Sequence, residues 1–76
     1  MNAKRRKELT KIWDKLEQLK ADVESLMEEE QEALDNLPEQ LQDTERGEAM
    51  QNAVEQMEYA IDSIQEAMDN IEEAQA

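Results

Sequence analysis

Cysteine, histidine and phenylalanine are absent from this 76-residue chain. Without cysteine there is no disulfide framework and no thiolate chemistry, which fits a cytosolic protein. Without histidine the side chain best suited to general acid–base work at neutral pH is missing. Glu-x-x-His pairs, which hold carboxylate-bridged metals in helical bundles, cannot be built either. Ser25, Ser63, Thr10 and Thr44 stand in no recognisable motif with a base. These absences predict a protein that is not an enzyme, with no catalytic residues, no metal ligands and no cofactor.

Other residue types are nearly missing. Pro38 and Gly47 are the only proline and glycine, and Trp13 and Tyr59 the only aromatics. Ala, Leu, Glu, Gln, Lys and Met dominate instead, all good helix formers with little to build a sheet from. So few aromatics exclude a thick globular core and leave a thin seam between helices. No apolar run is long enough to span a bilayer. The basic start Lys4-Arg5-Arg6-Lys7 is followed at once by Glu8, unlike a secretory leader. A cytoplasmic location in the host cell is therefore expected.

Pro38 and Gly47 lie in one stretch, Asp35 to Gly47, with about thirty residues of helical periodicity on either side. The first segment repeats Leu9, Ile12, Leu16, Leu19, Val23, Leu26 in alternating steps of three and four, a heptad seam. With Leu9, Leu16, Val23, Glu30 and Leu37 at position a, the d row is Ile12, Leu19, Leu26 and Ala33. Trp13, Met27 and Leu34 widen the stripe at e. Glu30 is the one acid in the seam, and the run Glu28-Glu29-Glu30-Gln31-Glu32 is expected to loosen the helix. The second segment repeats Met50, Val54, Met57, Ile61, Ile64, Met68, Ile71 in the same rhythm. With Val54, Ile61 and Met68 at a, an alanine recurs at every g position: Ala53, Ala60, Ala67 and Ala74. The fold class predicted is all-α: an antiparallel helical hairpin in one domain, with helices at about 3–35 and 45–75 and a corner at 36–44. Each apolar stripe is three rows wide, which predicts a homodimer forming a four-helix bundle.

Capping residues punctuate this plan. Asn2 is a suitable N-cap. Asn36 with Glu39 three residues on suggests a capping box around Pro38. Asp43 or Thr44 offers a cap for the second long helix.

The net charge is −13 and unevenly spread. Residues 1–20 carry seven cations and three acids, whereas residues 21–76 carry Arg46 and eighteen acids. An antiparallel hairpin places the basic start beside Glu66, Asp69, Glu72 and Glu73, where ion pairing is expected. An acidic body of this strength repels nucleic acid and membrane surfaces and attracts basic proteins. On the second helix Glu48, Glu55, Asp62 and Asp69 recur every seven residues at b, with Glu45, Glu66 and Glu73 beside them at f. Such a row either keeps a small protein soluble or imitates a nucleic-acid backbone for a groove lined with Lys and Arg. The basic run Lys4–Lys7 has no aromatic interleaving and is a weak nucleic-acid signal.

The corner residues Asp35-Asn36-Leu37-Pro38-Glu39 and Glu45-Arg46-Gly47-Glu48, the opening Met1-Asn2-Ala3-Lys4-Arg5-Arg6-Lys7-Glu8 and the run Ala-Ile-Asp-Ser-Ile-Gln-Glu-Ala at 60–67 carry a resemblance. They resemble small acidic helical-hairpin proteins encoded by phages and mobile elements of Firmicutes. The resemblance implies a setting in which small acidic proteins inhibit host nucleic-acid enzymes, as anti-restriction and anti-CRISPR proteins do. It carries no functional residue over. The function expected is a DNA mimic that occupies the basic surface of a host defence enzyme. The alternative is a coiled-coil assembly module that dimerises or bridges partner proteins.

Overall fold

A computed structural model describes residues 1–76 as three helices. They are α1 (Ala3–Asp35), the single turn α2 (Glu39–Gln42) and α3 (Glu45–Gln75). The long helices pack antiparallel into a hairpin whose Cα trace measures 58 × 14 × 13 Å. No helix is long and apolar enough to cross a membrane.

Local chemistry sets the helix ends. The Asn2 side chain accepts the Arg5 backbone N–H at 2.8 Å, satisfying one of the donors that a helix start leaves open. α1 continues without a break through Glu28–Glu32, so the expected loosening does not occur. Glu30 is half-buried, in line with the other a positions of the seam.

The corner departs from the capping-box expectation. Asn36 is helical, with φ −86° and ψ −6°, and closes α1 by donating its N–H to the Glu32 carbonyl at 3.0 Å. The N-cap of α2 is Pro38 (φ −54°, ψ 140°), which receives no side-chain cap bond. Proline opposes helix in the residue before it, so the break falls at Leu37 and Asn36 stays with the preceding helix. Thr44 caps α3. Its hydroxyl donates to the Leu41 carbonyl and lies 3.5 Å from the Gly47 N–H. Gln42 donates to the Leu37 carbonyl, and Gln51 donates to the Gln42 carbonyl, each at 3.1 Å. Gln51 thus ties the turn to α3, and the Leu37 N–H ties it to α1 by donating to the Leu34 carbonyl at 3.1 Å.

Gly47 is buried in helical conformation and has no positive φ. Its lack of a side chain matters for space. A Cβ there would sit 2.6 Å from the Gln42 carbonyl carbon and closer still to its oxygen. Backbone cannot yield as a flexible side chain can.

The two helices use different rows in the seam. α3 presents its a and d positions, and Met68, 2% exposed, is its most enclosed side chain. Met50, Val54, Met57, Ile61, Ile64 and Ile71 are half-buried along the same line. α1 presents a and e: Leu9, Trp13, Leu16, Lys20, Val23, Met27, Glu30 and Leu34 are half-buried. Its d row lies outside the intramolecular seam, with Ile12, Leu19 and Leu26 at 45, 53 and 57% exposure. A helix in contact with one neighbour encloses about two rows, and a stripe three rows wide must leave one uncovered.

Two polar contacts mark the register. Thr10 Oγ1 lies 3.2 Å from Gln75 Oε1, and Lys20 Nζ donates to Gln65 Oε1. A step of ten residues along α1 matches a step of ten back along α3, so the helices run level without slip. Neither contact is an ion pair, although the basic start and the acidic end do share one end of the rod.

Gly47→Ala tests the corner. Helix propensity alone favours alanine by ~1 kcal/mol, whereas forcing atoms into a filled site costs about 1–3 kcal/mol. Urea unfolding is expected to show net destabilisation. A stabilised Gly47→Ala protein would mean that the close approach to Gln42 is absent.

Candidate binding surface

The acids predicted for partner binding come from one rigid element. Glu48, Glu55, Asp62 and Asp69 project from α3 at heptad intervals of ~10.5 Å, and all four are exposed. Glu45, Glu66 and Glu73, one row further round, are exposed as well. Asp62 follows Ala60 by two residues, or about 200° around the helix axis. The acid row therefore points away from the alanine row.

Two of the four row acids are held by neighbours. Tyr59 donates its phenol to Glu55 Oε1 at 2.8 Å, one helical turn away. Gln65 donates its amide to Asp69 Oδ1 at 2.9 Å while accepting from Lys20 across the seam. A chain of hydrogen bonds thus runs from α1 through Gln65 to the acid row. Glu55 and Asp69 are two heptads apart, about 21 Å along the axis. Elsewhere Gln18 donates to Asp22 and Gln31 to Asp35, again at one-turn spacing. Each of these carboxylates accepts from a neutral donor rather than a cation.

Lys20 and Gln65 were not among the residues that sequence periodicity singled out. Lys20 occupies an e position between Trp13 and Met27, in a row otherwise apolar. Gln65 sits at e of the facing helix. The signal available was a cation and an amide in matching rows, legible only once the register is known.

The concave feature of the surface is an open groove of about 360 Å³ between the last turns of α1 and the first half of α3. Met27 and Val54 form its apolar floor, and Glu28, Glu32, Asp35 and Glu58 rim it. No three of the chain's carboxylates converge so as to hold a metal ion. At the corner, Leu37 is half-buried and Leu41 is 41% exposed. Comparisons with family models, curated proteins and solved structures give no match.

Tyr59 reports on the acid row. Its hydrogen bond to Glu55, together with the negative charge of that carboxylate, raises the phenol above its ordinary pKa of 10.0. Ionising the phenol sacrifices the donated proton and sets two anions side by side. Phenolate absorbance in a pH titration is expected to rise later than for free tyrosine. Glu55→Gln should bring the midpoint back towards 10.0. A midpoint unmoved by Glu55→Gln would show that the pair is not formed. The sign for stability follows: any support from this pair is present below the unfolded pKa and is lost as pH rises through the folded one.

Proposed function

We propose that this protein is a non-enzymatic, acidic binding protein whose α3 row occupies a basic, nucleic-acid-binding surface of another protein. The observation that carries this reading is the line of exposed carboxylates on one straight helix, with Glu55 and Asp69 held in place by Tyr59 and Gln65. Held acids lose less side-chain freedom when they meet Lys or Arg, which favours binding. Net charge −13 over a 58 Å rod is one negative charge per ~4.5 Å. That is of the same order as the charge spacing of nucleic acid, ~3.4 Å along one strand and ~1.7 Å along a duplex. A phage-encoded inhibitor of a host defence nuclease, of anti-CRISPR or anti-restriction type, is the biological form of this reading. It acts in the host cytoplasm without contacting nucleic acid or membrane itself.

A second reading, an assembly module that joins protein chains, is favoured by the exposed Ile12, Leu19 and Leu26 row. The two separate cleanly. Reversing charge at Glu55 and Asp62 abolishes function under the first and spares it under the second. Polar substitution of Ile61 or Ile64 disrupts the hairpin and cannot distinguish them.

The test uses restriction and Cas-type nucleases with labelled DNA as the competing ligand. Under the first reading the protein displaces DNA, and its affinity falls roughly tenfold or more from low to high salt. Glu55→Gln with Asp69→Asn is expected to weaken displacement by about tenfold, or ~1.4 kcal/mol. Affinity unchanged by salt, or unchanged in the double variant, contradicts the reading.

A further inference from the structure

We propose that the uncovered face of the hairpin is filled by a second copy of this chain, with α1 of each copy lying antiparallel on α3 of the other. The face is located by the hydrogen bond between Lys20 and Gln65, which both occupy e rows. That contact defines one flank of the seam, so the d row of α1 and the g row of α3 share the opposite flank. From the register, Ile12 is level with Ala74, Leu19 with Ala67 and Leu26 with Ala60, each within one residue. Three large exposed side chains thus stand in line beside three small ones.

A two-fold rotation about the long axis of the rod is the operation that uses this pattern. It carries each Ile or Leu of one copy over an Ala of the other, large into small on both sides of the axis, as an isologous interface requires. The alternative two-fold, perpendicular to the rod, stacks α1 on α1 and α3 on α3. It sets Leu against Leu and Ala against Ala, which cannot both close at one separation.

Charge selects the same arrangement. α1 carries seven cations and ten acids, net −3, while α3 carries one cation and nine acids, net −8. The perpendicular axis would bring the two −8 helices together. The axial one separates them and places Lys11 and Lys15 of each copy near the acidic end of its partner's α3. Ala60, Ala67 and Ala74 are flanked on their outer side by Gln56, Ser63 and Asn70, an uncharged margin in a chain that is 38% charged.

Area supplies the third argument. One chain exposes 5783 Å², against roughly 4,800 Å² for a folded monomer of this mass. The excess of about 1,000 Å² is close to the ~800 Å² that each partner contributes to a standard interface. A hairpin whose one well-enclosed core side chain is Met68 gains most from covering this face.

The test is solution mass by light scattering or sedimentation at tens of micromolar, with helicity by circular dichroism alongside. The wild type is expected at twice the 8.9 kDa of one chain. Leu19→Glu, at a position already exposed in the single hairpin, is expected to halve that mass and leave the helical signal. A wild type found at 8.9 kDa overturns the proposal, and so does a Leu19→Glu protein that keeps the doubled mass. Leu19→Cys and Ala67→Cys chains decide the packing. Under oxidation, a mixture of the two should cross-link faster than either alone. Leu19→Cys linking preferentially to itself would overturn the axial arrangement.

Discussion

The close approach of the corner to the start of α3 is the constraint from which the rest of the hairpin follows. Gly47 lies against the backbone of Gln42, and Thr44 and Gln51 fasten the same turn. With the corner closed so tightly, the distance along α1 at which each residue of α3 lands is fixed. Lys20 then meets Gln65, and Thr10 meets Gln75. The rotation of α1 about its own axis is fixed with it. Trp13, Met27 and Leu34 turn inward, and Ile12, Leu19 and Leu26 turn out.

Charge is arranged around this frame. At the open end α1 begins with Lys4, Arg5 and Arg6, and α3 ends near Glu72 and Glu73. Each cluster opposes the dipole of its own helix, at ~0.3–1 kcal/mol per exposed charge. The hairpin sets the two clusters side by side, so that each sits in the field of the other. At the corner the order is favourable: Glu45 and Glu48 occupy the first turn of α3, where negative charge suits a helix start. The apolar and acidic faces of α3 point in nearly opposite directions, so a second copy on one face leaves the acid row open to a basic partner.

Much of this was legible in the sequence. Periodicity placed both long helices, and Asn2 and Thr44 were readable as caps because their side chains satisfy backbone donors locally. The choice between the d and e rows of α1 was not legible. Both rows are largely apolar and both make a seven-residue repeat with the a row. The decision rests on how the two helices pack against each other, which neither helix's own periodicity encodes. Asn36 misled for a related reason: its type suits an N-cap, but Pro38 placed the break one residue later. The acid row was fully legible as a pattern. That Glu55 and Asp69 are held, by Tyr59 and through Gln65 from Lys20, depends on a register that no single helix encodes.

The row assignment is the claim on which both surfaces depend, and a paired substitution tests it most directly. Leu16→Asn and Leu19→Asn place the same polar group on adjacent rows of α1, one inside the seam and one outside. Thermal melts followed by circular dichroism, at concentrations dilute enough for single chains, compare them. Leu16→Asn is predicted to melt well below the wild type, and Leu19→Asn close to it. Equal losses, or a larger loss for Leu19→Asn, would contradict the account.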